Sequence, residues 1–134
     1  MISALPTTRD ARLVFTTPPP GFAPLTDFDL AAVDGAPGLY TLRDTAGVDL
    51  RLFLIDPTFY VPEYLPALAD DDLAALGVSS DAEVDVYVVA NIMDGAPVVN
   101  LLAPIVVNPV SHTATQLILG DDWPLQAELV TAAA

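Results

Sequence analysis

The sequence predicts a mainly β fold: one small antiparallel β-barrel-like domain spanning residues 1–134, with one short helix. Three observations lead there. About seven short runs of β-branched, aromatic and aliphatic residues are separated by brief polar turns, with no internal repeat and no linker. The 13 prolines and 7 glycines interrupt the chain too often for long helices, while a hydrophobic content of 53% is ample for a core. Finally, strands in that number around one core favour closure, which removes exposed edges that would template aggregation.

The elements follow in order. Residues 12–15 read as a short first strand, ended by the turn Thr16-Thr17-Pro18-Pro19-Pro20. Residues 28–33 alternate imperfectly and close at Asp34-Gly35. Residues 39–42 and 48–55 form a strand pair joined by Asp44-Thr45-Ala46-Gly47. In the second of these, Val48, Leu50, Leu52 and Leu54 share one face; Phe53 and Ile55 on the other predict a strand end buried on both sides. Asp56-Pro57 stops it.

The helix is expected over residues 70–76. Asp70 is placed to cap the free N–H groups, Asp71 and Asp72 suit the positive end of the helix dipole, Leu73 and Leu76 share a face, and Gly77 is a stop. Residues 84–89 alternate and then turn wholly apolar, as a strand entering the core does, and Met93-Asp94-Gly95 turns the chain. Residues 98–107 and 113–119 then flank Asn108, Pro109, Ser111 and His112, which is a hairpin pattern. Pro104 lies inside the first run, where its missing N–H predicts a kink or bulge. The tail at residues 131–134 is expected to fray.

Charge narrows the function. Eighteen acidic residues stand against four arginines and no lysine, a net charge of −14. Such a field repels nucleic acid and anionic membrane, whose binding depends on cations, and it favours a basic protein partner or serves solubility alone. The absence of cysteine excludes disulfides and thiolate chemistry and permits a reducing compartment. Met1-Ile2-Ser3-Ala4-Leu5-Pro6 lacks the basic and uninterrupted apolar stretches of a secretory signal, and no apolar run approaches the ~20 residues that cross a bilayer. A soluble, cytoplasmic protein is expected.

Reactive constellations are missing from the pattern. The sole histidine, His112, sits in a predicted turn beside Ser111, and no Gly-x-Ser-x-Gly elbow is present, so no catalytic residue is assigned. One histidine without cysteine does not make a zinc spacing, and Asp70-Asp71-Asp72 lacks the spaced ligands of a calcium loop; no metal and no cofactor is expected. Asp121-Asp122 before Trp123-Pro124 reads as a solvated turn. Phe59, Tyr60 and Tyr64, set among Pro57, Pro62 and Pro66, read first as core and second as a partner-binding patch.

The pattern Asn100-Leu101-x-Ala103-Pro104-Ile105-Val106-Val107-Asn108 followed by Ala114-x-Gln116-Leu117-Ile118-Leu119 closely resembles the C-terminal half of the flagellar assembly factor FliW family. Gly21-Phe22, Leu39-Tyr40-x-Leu42, Leu52-Phe53-Leu54-Ile55-Asp56-Pro57 and Phe59-Tyr60-x-Pro62-x-Tyr64 fall in that family's order and spacing. The chain departs from the family's pattern in its proline-rich 16–20 segment, in Trp123 where a tyrosine is usual, and in having no lysine.

The resemblance implies a small β-barrel-like fold and a protein-binding regulator, monomeric when free. Such a regulator binds the small basic RNA-binding repressor CsrA, through a site beside the RNA surface that acts allosterically, and also binds flagellin, so that the two partners are switched. Two other readings stay open: a dedicated flagellin chaperone without a CsrA role, and a small-ligand-binding or acidic hydrolase β-barrel, which a side-chain-filled interior would count against. From charge and position alone, the interface candidates are Asp70, Asp71 and Asp72 with Phe59 and Tyr60, then Asp44 and Asp49.

Overall fold

Apolar alternation along the strands bends one sheet into a ring. The computed structural model describes residues 10–16, 25–33, 35–45, 51–61, 64, 68–80, 83–93, 96–119 and 127–128. Its elements are β1 (Asp10–Phe15), β2 (Asp27–Ala32), β3 (Leu39–Asp44), β4 (Arg51–Ile55), α1 (Pro57–Tyr60), α2 (Asp70–Ala75), β5 (Asp85–Met93), β6 (Ala96–Asn108), β7 (Thr113–Gln116) and β8 (Ala127–Glu128). The sheet order is β5-β4-β3-β2-β1-β7-β6-β8, and β5 also pairs with β6, so seven strands close on themselves and β8 is a short addition on β6. The mainly β, barrel-like expectation therefore holds.

One pairing differs from the all-antiparallel expectation. β1 and β7 run parallel, Val14 opposite Thr113 and Phe15 opposite Ala114, while the other pairs of the ring are antiparallel. The cause is parity: strand direction cannot alternate all the way round a ring with an odd number of members, so at least one neighbour pair must be parallel. The barrel is mixed for that reason.

The interior is packed with side chains. Leu13, Phe28, Leu42, Leu54, Ile105, Val107 and Ala114 are wholly buried there with Leu30, Phe15 and Tyr87. Edge-to-face pairs, Phe15 with Phe28 at 5.4 Å between ring centroids and Tyr40 with Tyr87 at 5.2 Å, pack rings from the neighbouring strands β1 and β2 and from β3 and β5 on either side of β4. A small barrel filled in this way holds a core rather than a channel.

The kink expected at Pro104 is a large irregularity in β6. Tyr87 pairs with Ile105 and Val89 with Asn100, so the single residue Val88 faces the stretch from Leu101 to Pro104. Every carbonyl in that stretch nevertheless accepts a hydrogen bond: Leu101 from Tyr64 Oη (2.6 Å), Leu102 from Leu119 N (2.8 Å), Ala103 from Gln116 Nε2 (3.0 Å) and Pro104 from Leu117 N (2.9 Å). Asn100 Oδ1 accepts from Leu102 N (3.0 Å) and Ala103 N (3.1 Å). Proline sits here at no ladder cost because its position has no partner on β5.

A second apolar layer lies outside the barrel. Residues on the outer faces of β4, β5 and β6, among them Ile55, Val88 and Val99, pack with Tyr60, Val61, Tyr64 and Leu68; Val106 and Leu117 pack with Leu76 and Val78. These described residues from α1 to the end of α2 thus cover one side of the wall. This explains why residues of both parities are buried in β5 and β6.

Candidate protein-binding surface

α1 begins on the Asp56-Pro57 pair that the sequence pattern reads as a strand stop. Asp56 Oδ1 accepts from Thr58 N (2.9 Å) and Thr58 Oγ1 (2.6 Å), and proline takes the first helical position, where no N–H is needed. This one-turn helix adds to the expected one and carries two interface candidates, Phe59 and Tyr60. Tyr60 is half-buried, its Oη donating to Pro37 O (2.8 Å), which ties α1 to the β2–β3 turn.

α2 occupies the expected position with a different cap. The N-cap residue is Ala69, in extended conformation and without a side-chain bond, so Asp70 is the first helical residue rather than the cap. Asp70, Asp71 and Asp72 all fall in the first turn, where the helix dipole is positive, and the last turn carries no basic residue. Asp70 and Asp71 are exposed and Asp72 half-buried, while Leu73 and Leu76 are buried, Leu76 packing with Val106 and Leu117.

The remaining candidates lie elsewhere. Asp44 ends β3 opposite Phe28, at the far end of that strand from Leu39, where α1 attaches. Five residues of strand, roughly 17 Å, separate the two ends. Asp49 falls outside the described residues, as do Asp121, Asp122 and Trp123. The structure therefore sets Tyr60 and the α2 aspartates on one layer and leaves Asp44 at a distance from α1.

Phe53 departs from the buried placement that the strand pattern suggests. Ile55 is covered by the α1 segment, but Phe53 keeps 41% of its surface exposed, with the Arg51 guanidinium 5.2 Å from its ring centroid. The signal was present: Arg51, Phe53 and Ile55 share the outer face, and a charged residue two positions earlier marks that face as solvated. Phe53, Leu39, Ile55, Tyr60, Pro97 and Val99 line an apolar groove of about 500 Å³ on the outer wall. Among the described residues, this layer thus carries both an apolar groove and an acidic helix start.

The polar groups of the β6–β7 turn and of Tyr64 make structural hydrogen bonds. His112 is exposed, at the left-handed φ of 65°, and its N–H donates to Asn108 O (2.8 Å). Ser111 Oγ shares a 2.8 Å hydrogen bond with Thr113 Oγ1. Burial pushes the Tyr64 phenol far above its ordinary value, which suits its role as a donor to the irregular β6 carbonyl. Among the described residues, no helix is long and apolar enough to cross a membrane.

Comparison with known proteins agrees with the fold. The family model described as FliW protein matches residues 2–129. The flagellar assembly factor FliW of Shouchella clausii is 31% identical over 123 residues, covering 90% of this chain and 84% of that protein. The flagellar assembly factor FliW of Symbiobacterium thermophilum is 31% identical over 105 residues, 76% of each chain. A crystal structure of the flagellar assembly factor FliW superposes with a TM-score of 0.81 at 26% identity, covering 92% of this chain and 88% of that one.

Proposed function

The chain belongs to the FliW family, and we propose that it is a cytoplasmic, protein-binding regulator of flagellar assembly that antagonises the RNA-binding repressor CsrA and exchanges it for flagellin. The observation that carries the reading is the run of exposed Asp70 and Asp71 with half-buried Asp72 on a helix without basic residues, in a chain of net charge −14. Negative potential in that place attracts a cationic RNA-binding protein and repels the phosphates of its RNA. One patch thereby promotes association with the repressor and opposes the repressor's ligand. The filled barrel interior favours binding over conversion of a small substrate.

Within this reading, Asp70, Asp71 and Asp72 steer the partner, with Phe59 and Tyr60 of α1 as further contacts. Asp44 and Asp49 take a lesser part. The protein acts as a monomer and needs no cofactor. Mixing it separately with CsrA and with flagellin at moderate salt, then adding each partner to the other's complex, tests the switch. Binding to both with mutual displacement supports it. Binding to flagellin alone makes the protein a dedicated chaperone, and binding to neither leaves the small-ligand or hydrolase barrel.

A further inference from the structure

At the seam where α2 meets the β6–β7 hairpin, a second cleft of about 430 Å³ opens, with Val78, Val84, Pro109 and Val110 as apolar walls and Glu83 and Asp85 as acidic groups. Its frame is rigid. Asn108 is buried and bonds in two directions: Nδ2 donates to Leu76 O (2.7 Å) at the end of α2, and Oδ1 accepts from Val110 N (2.9 Å) and Ser111 N (3.3 Å) in the hairpin turn. Val110 stands at the lip with 90% of its surface exposed, an aliphatic side chain held out by a braced turn.

We propose that this cleft receives an arginine side chain of a basic protein partner, its aliphatic stem against Val84, Pro109 and Val110 and its guanidinium between Glu83 and Asp85. The inference rests on the reading of the chain as a binder of a cationic protein and names where the cation is seated. Charge complementarity selects the occupant. Asp85 is half-buried at the start of β5, opposite Val107, and among the described residues no donor or cation reaches its carboxylate.

Its charge is disfavoured first by burial and then by the nearby carboxylate of Asp56. A cation entering the cleft offsets both penalties. Glu83 is already positioned, accepting from Ser79 Oγ (2.9 Å). Arginine suits the place better than lysine because its planar fork reaches two carboxylates while its stem and flat face lie on apolar walls.

The cleft also completes a division of labour along α2. The aspartates begin the helix and the cleft wall follows its last residue, some six residues or about 9 Å away. Exposed charge at one end governs encounter, and a partly desolvated carboxylate at the other governs residence.

Two measurements on the full chain test this. In the first, acetylated hexa-arginine and hexa-lysine are titrated into isotope-labelled protein. The amides of Val78, Val84 and Val110 are expected to shift, with arginine binding more tightly than lysine, and Asp85→Asn should weaken the arginine titration by about tenfold. Shifts confined to residues 70–72, or a titration unchanged by Asp85→Asn and by Glu83→Gln, would overturn the assignment.

In the second, CsrA association is followed in real time. Asp85→Asn and Val110→Ala are expected to speed dissociation about tenfold and threefold with little change in association, whereas neutralising Asp70, Asp71 and Asp72 slows association. CsrA that binds wild type and both cleft variants alike sinks the cleft and spares the regulator. CsrA that does not bind at all sinks the regulator, and the peptide titration then decides the cleft by itself. Val110 is exposed, so its variant folds whatever the fate of Asp85→Asn.

Discussion

Two asparagines in the stretch that carries the family resemblance do different work, and substitution separates them. Among the described residues, Asn100 bonds through Oδ1 alone, which accepts two backbone N–H groups of the irregular β6 segment. Asn100→Asp should therefore keep the local structure, while Asn100→Ala orphans both donors and costs about 2 kcal/mol, measured by urea unfolding. Asn108 uses both ends, donating to α2 and accepting from the hairpin turn. Neither Asp nor Ala replaces it: Asp loses the donor to Leu76 O and buries a charge, so Asn108→Asp should cost more at pH 7 than at pH 4.

Tyr64 offers a third test at this scale. Its raised phenol pKa means that the unfolded chain ionises first as pH rises, so stability present below about pH 10 is lost above it. Tyr64→Phe should cost about 1 kcal/mol near neutrality and flatten that alkaline loss, as chemical denaturation at several pH values will show. Equal alkaline slopes for the two proteins would remove Tyr64 as its source.

Among the elements, α1 is the one where stability and charge pull against each other. Asp56 caps the helix through Thr58, and its charge also disfavours ionisation of Asp85. Asp56→Asn keeps an acceptor at the cap and removes the repulsion, so the Asp85 carboxyl should titrate lower, followed by carbon NMR, with stability held or raised. Asp56→Ala gives the same titration shift but loses the cap, about 1 kcal/mol. A carboxyl titration indifferent to both changes would separate the two aspartates electrostatically.

How far the sequence spoke also becomes clear from such elements. Pro104 announced an interrupted strand because a missing N–H is a local fact, and Gly77 announced the end of α2 because its φ of 81° is one. The Asp56-Pro57 pair was ambiguous, since the same residues stop a strand and start a helix only one turn long. The bond from Asn108 to Leu76 and the parallel β1–β7 pair join residues far apart in the chain, and no local pattern encodes them. The cleft was invisible for that reason: its walls come from three separate stretches, and Asp85 became notable only once burial and its neighbours were known.

Across the whole molecule, one quantity acts on folding and on association with opposite sign. A net charge of −14 on 134 residues repels itself in the folded state, and the single ion pair among the described residues, Arg12 with Asp29 at 2.7 Å, is exposed and offsets little of it. Salt screens that repulsion, so the midpoint of thermal unfolding should rise between ~20 mM and ~500 mM sodium chloride, a range over which the screening length falls from tens of ångströms to a few. The same screening weakens the pull on a basic partner. Under the proposed function, association with CsrA should accordingly slow over this range, while dissociation, assigned to the proposed cleft, changes far less. A chain whose folded state gains from salt while its encounter rate loses is using surface charge for recognition at the expense of stability. A melting midpoint that falls with salt would remove self-repulsion as a cost to the folded state, and an association rate indifferent to salt would remove the negative field from recognition.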